Sequence, residues 1–117
     1  MSINAQPLIS GTDVQASADN AIATATIPAI SGVQNFFTGF NADYDKEVSA
    51  FKTVTVTRTV AGASVVRTYN WDFTNGPFTL LLPGVVHGQP NSAITVALAA
   101  SGIGATTGYI TAYYFTN

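Results

Sequence analysis

Any reaction run by this chain would have to draw on very few side chains. The single histidine, His87, stands in Gly84-Val85-Val86-His87-Gly88, and the 117 residues include no cysteine. A Ser-His-Asp hydrolase needs an activated serine, and the Gly-x-Ser-x-Gly elbow is missing from the sequence. One histidine without cysteines cannot build a histidine- or thiolate-based zinc site. The sequence therefore predicts no catalytic residue, no cofactor-binding residue and no metal ligand, and His87 is expected on a loop.

Three further patterns have a chemical reading and a plainer one. Asn41, Asp43, Asp45 and Glu47 place oxygen donors at every second residue, as a hard cation would want. Counted as an EF-hand from Asn41, however, the turn glycine falls on Lys46 and the bidentate acid on Lys52. These acids are expected to solvate a turn. Gly102-x-Gly104 is followed by Thr107 where a dinucleotide fingerprint needs its third glycine, so a flexible connection is expected there. Tyr69, Trp71 and Phe73 share one face of an extended segment. Such a row could stack on sugar rings with Asn70 or Asp72 bonding hydroxyls, but core packing is the stronger expectation. Arg67 on the same face implies that this end of the strand emerges from the core.

The row that carries most weight is Thr53, Thr55, Thr57 and Thr59, alternating with Val54, Val56 and Val60. Threonine suits a strand, and its hydroxyl tolerates water or a protein neighbour. Only 9% of the residues are charged, against roughly 25% in an average domain. A net charge of −2 with only four basic residues gives no field for nucleic acid. No stretch approaches the roughly 18 apolar residues of a membrane-spanning helix. The first residues lack the basic and apolar regions of an export signal, so synthesis in a cytoplasm is expected. A face without charge does not repel a second protein surface, so threonines 53–59 are candidate partner-interface residues.

Strand signals position these residues. Residues 20–27 alternate Ala21, Ala23, Ala25 and Ile27 against Ile22, Thr24 and Thr26. Residues 35–44 set Phe36, Phe40 and Tyr44 on one face, with Gly39 allowing a bulge or close approach. Phe51–Val60 and residues 64–73 form a hairpin about Gly62. After the Asn75-Gly76 turn, 78–82 reads as a strand buried on both faces, and 84–91 as a looser stretch. Residues 93–100, with Ile94, Val96 and Leu98 inward, and 109–115 complete the set. The result is an all-β, antiparallel two-sheet sandwich, jelly-roll-like, of about seven to eight strands. Residues 1–19 lack periodicity and are expected to be an extended N-terminal arm. Its anchors would be Ile3, Pro7, Leu8 and Ile9, and an eighth strand could come from it. The single domain covers 20–117.

From Thr38-Gly39-Phe40, the Thr/Val strand and Trp71-Asp72-Phe73, through Asn91-Ser92-Ala93-Ile94-Thr95-Val96-Ala97-Leu98-Ala99-Ala100-Ser101-Gly102, to the Gly-Tyr-Ile-Thr-Ala-Tyr ending, the chain resembles the small β-sandwich virion proteins of tailed bacteriophages. It is most similar to capsid decoration, or cement, proteins, over residues 30–117. The resemblance implies a homotrimer of jelly-roll subunits on the outside of a capsid. Its partner would be the major capsid protein or another virion protein, with no nucleic acid and no membrane. A tail- or spike-associated carbohydrate-binding module is the alternative.

Overall fold

The computed structural model of the protein describes residues 12–116. Within them are eight strands: β1 (Thr12–Asp19), β2 (Ala23–Ile27), β3 (Asn35–Tyr44), β4 (Phe51–Val60), β5 (Ala63–Asp72), β6 (Phe78–His87), β7 (Ile94–Leu98) and β8 (Thr107–Thr116). A 3-10 turn, Phe73–Asn75, joins β5 to β6. One sheet has the order β1-β8-β3-β6 and the other β2-β7-β4-β5. Strands 1 and 8, 2 and 7, 3 and 6, and 4 and 5 pair antiparallel. A long hairpin rolled up on itself produces this order, which is the jelly-roll wrap. The protein is an all-β sandwich of two packed antiparallel sheets.

The core follows from alternation with one interruption. Ala23, Ala25 and Ile27 of β2, Val54 and Val56 of β4, and Ile94, Val96 and Leu98 of β7 point inward as their spacing predicts. Facing them are Phe37, Phe40 and Ala42 of β3 with Ile110 and Ala112 of β8, all fully buried. Phe37 and Phe40 are three apart and would normally face opposite sides of a strand. Against β8, a register shift between Phe37 and Gly39 inserts one residue and returns both rings to the core. Gly39 makes this possible, because a Cβ there would run into the Leu80 carbonyl oxygen of β6. Phe36 is therefore turned outward, where its ring stacks on Phe115 at 4.9 Å. The expected grouping of Phe36 with Phe40 and Tyr44 is corrected by this bulge.

The eighth strand that the expected arm could supply is its second half, Thr12–Asp19, which forms β1 and pairs along its whole length with β8. Its Val14, Ala16 and Ala18 pack against the core, too small and too interrupted by polar residues to announce themselves. The run 78–82 is not buried on both faces: β6 is a sheet edge, and Leu81 is 65% exposed. The stretch expected to be loose continues β6 as far as His87. Pro83 removes one backbone donor from β6, which an edge strand tolerates. Ile3, Pro7, Leu8 and Ile9 lie outside the described residues.

The β4–β5 hairpin turns through Ala61 and Gly62 with φ of 52° and 80°. Both are left-handed, as a two-residue type I′ turn requires, and Ala61 is strained there. Replacing Ala61 by Asn is expected to raise unfolding free energy by about 0.5–1 kcal/mol, measured by urea denaturation. Removing residues 1–19 deletes β1 and uncovers one flank of the core. It should lower stability by about 2 kcal/mol or more; an unchanged denaturation midpoint would show that β1 adds nothing to the fold.

Candidate functional surfaces

The threonines of β4 are brought together with others by the sheet register. Across the outer face of the second sheet, Thr24, Ala97, Thr55 and Thr68 form one row, and Thr26, Thr95, Thr57 and Val66 the next. Rows repeat about every 7 Å along the strands, and neighbours within a row stand about 5 Å apart. Thr53, Thr55, Thr57 and Thr59 are half-exposed, while Thr24, Thr26, Val66 and Thr68 are exposed. None of these side chains can ionise. Four strands thus assemble a broad uncharged face of which the sequence displayed only one column.

The outer face of the first sheet has a different character. Phe36 stacks on Phe115 with an interplanar angle of 11°. Register sets Leu81, Gly39 and Tyr113 in one row, and Asp43 and Tyr109 in another. Tyr109 is 48% exposed. Between them, the Asn41 side-chain amide donates to the Thr79 hydroxyl at 2.9 Å. The C-terminal aromatics of this face belong to the carbohydrate-binding alternative read from the sequence, whereas the contribution of Phe36 escaped sequence reasoning because the β3 bulge reverses its phase. The adjacent Phe36-Phe37 pair, two residues before a glycine, was the available signal.

The aromatic row of β5 lies mostly inside. Tyr69 packs against Phe40 at 5.7 Å. Trp71 stacks on Phe78 at 4.9 Å, and its indole N–H donates to the Gly76 carbonyl at 2.9 Å. Phe73 is buried and meets the edge of Tyr44 at 5.0 Å. The Asp72 carboxylate accepts from the Thr74 backbone N–H at 3.0 Å, capping the 3-10 turn. Each of these rings packs against another aromatic ring of the protein.

The remaining candidates each have a local partner. Asp43 accepts from the Tyr44 backbone N–H at 2.8 Å, and Asp45 from that of Thr107 at 2.8 Å. The Ser49 hydroxyl reaches Glu47. These acids rim a surface cleft of about 300 Å³ with Lys46, Phe73 and Thr74. Among the described residues no three His, Cys, Asp or Glu side chains stand close enough to share a metal ion. The His87 side chain is exposed, and its carbonyl accepts from the Arg58 guanidinium at 2.6 Å. The glycine loop is not a free connection: Gly102 N–H donates to the Asn20 side chain at 2.9 Å, and Ser101 and Thr106 are buried.

Fold and register together define a jelly-roll sandwich with one outer face of threonine rows and another on which aromatic rings stand among Asp13, Asp19 and Asp43. Comparison with protein-family models and with curated proteins finds no match to this chain.

One titration is built into the core. Tyr44 donates its hydroxyl to the Ala99 carbonyl at 2.7 Å, and burial pushes its pKa up from 10 to about 12. A raised folded-state value means that protonated Tyr44 contributes stability below pH 10, lost as pH climbs towards 12. Tyr44→Phe should cost about 1 kcal/mol at pH 7 and flatten the alkaline fall between pH 10 and 12. Trp71 emission is expected to be blue-shifted and shielded from iodide, and Trp71→Ala to cost about 3 kcal/mol; red-shifted, readily quenched emission would return the indole to the surface.

Proposed function

We propose that this protein is a structural component of a phage virion that binds the outside of the capsid and bridges neighbouring capsid subunits, acting as a homotrimer. The observation that carries this reading is the uncharged threonine face spread over β2, β7, β4 and β5. Rows of threonine without a charge cost less to desolvate against another protein than a charged face would, provided their hydroxyls find hydrogen-bond partners there. The jelly-roll wrap, a fold shared by viral capsid and lectin domains, is compatible with it by analogy. So is the resemblance of residues 30–117 to decoration proteins.

The mechanism is linkage. A protein that binds the assembled shell and not its separated subunits shifts the equilibrium towards the shell. Several copies held around a symmetry axis gain by multivalency, so each contact can be weak. In this mechanism the chain acts by covering surface, and a strong net charge would oppose it.

A carbohydrate-binding module of a tail or spike is the second reading. It is favoured by the exposed Tyr109, by half-exposed Tyr113, and by Asn41 and Thr79 between neighbouring rows. The platform would be the outer face of the first sheet and not Trp71. Glycan-induced chemical shifts at Tyr109 and Tyr113 would support it.

The test of the first reading is attachment to particles lacking this protein. Thr55→Lys with Thr57→Lys should leave the melting temperature within a few degrees and weaken attachment by about tenfold or more, roughly 1.4 kcal/mol. Sedimentation should give a closed trimer. A monomer that ignores the particles would sink the proposal.

A further inference from the structure

One side of the sandwich is open. At the closed side β1 packs over β2. At the other side β5 is exposed on both faces over residues 63–68. Between the sheets there lies a cleft of about 100 Å³, walled by Phe37, Val56, Tyr69 and Leu82. Arg58 and Arg67 line the same cleft. The β4–β5 register sets Arg67 opposite Val56 and Arg58 opposite Val65. The two arginines are therefore diagonal neighbours, Cβ atoms about 7 Å apart, on the face that alternation reserves for the core.

Among the described residues no carboxylate lines this cleft. β4 and β6 contain no acid, and the one acid of β5, Asp72, caps the following turn. Arg58 is anchored by the His87 carbonyl, a neutral acceptor. Two like charges side by side repel each other, and an anion between them turns that repulsion into attraction. A chain with only four basic residues has placed two of them here. Alongside, β5 pairs with β4 alone, so its outer edge has backbone donors and acceptors available to another strand.

We propose that β5 and this cleft form a strand-addition site for an extended segment of a partner protein. The segment carries an acidic residue flanked two positions away on each side by apolar residues. A strand added to β5 projects alternate side chains into the cleft. Its carboxylate meets Arg67 and Arg58, and its apolar neighbours meet the aliphatic and aromatic walls.

A second copy of this chain does not fit. The free-edge strand β1 carries Asp13 and Asp19, but Gln15 stands two positions from the first and Ser17 two positions from the second, so neither acid has apolar residues on both sides. β2 and β6 have no acid, and β5 against β5 would bring arginines together. The inference deepens the assembly role proposed above and rests on it only for the origin of the segment.

The test uses an array of immobilised heptapeptides of the pattern Thr-Val-Thr-Glu-Thr-Val-Thr, with Leu, Ile and Phe variants at the valines. Each has Gln and Lys twins and is probed with the full chain in low salt. Glu members should be captured about tenfold better than their Gln twins. Arg67→Glu, at an exposed position, should reverse the preference towards Lys twins. Free peptide should shift the backbone amides of residues 65–69. Equal capture of Glu and Gln twins, no capture, or shifts mapping away from β5 would each overturn the site. Particle attachment is read separately. Glu-selective capture without attachment would keep the cleft and discard the assembly role, and attachment without Glu-selective capture would do the opposite.

Discussion

The arrangement depends on the bulge in β3. Phe37 and Phe40 are the largest fully buried side chains among the described residues, and a regular strand could not have buried both. Against β8, one inserted residue between Phe37 and Gly39 reconciles the two rings with a single core face. The same residue count turns Phe36 to the outside, where it meets Phe115. Phe37, held inward, becomes a wall of the cleft that also contains Arg58 and Arg67. Core and aromatic outer face thus share one cause, and the same Phe37 ring walls the open side.

The few charges are segregated, and that segregation defines the surfaces. Acids lie along β1 and in the turn after β3, while two of the four cations stand together in the cleft. The threonine rows receive none, and Asp72 stands at the end of that face opposite Phe51. A sheet face that must meet water alone usually mixes charge with hydroxyls, since charge keeps neighbouring molecules apart. Here the hydroxyls are retained and the charges moved to the margins. That distribution suits a subunit that lies against other protein, and it leaves the open cleft as the one place where a specific anion is called for.

Much of the fold was legible in the residues, and the exceptions share a reason. β4 and β7 are read directly because Val, Ile and Leu alternate with Thr and Ala and both faces keep their phase. β3 was located but its faces were reversed at one end, because period-two reasoning has no way to count a bulge. β1 is legible only as an arm that could supply an eighth strand, since Val14, Ala16 and Ala18 bury little area and acquire their partner only when β8, the last strand, arrives. β6 looked doubly buried because Phe78, Leu80, Leu81 and Leu82 are apolar, yet a strand's place in its sheet is not encoded in its own composition.

By itself the sequence determined that the chain is an all-β sandwich, that Val54, Val56, Ile94, Val96 and Leu98 face inward, and that a threonine column faces out. Those features are local: they follow from side-chain alternation along one strand. Only the tertiary structure decided which strands are neighbours. That decision widened the column into a face, placed Trp71 against Phe78, and set Arg58 beside Arg67 across a hairpin left uncovered by the opposite sheet. Such juxtapositions arise from pairings between residues distant in the chain, where spacing along the sequence carries no information.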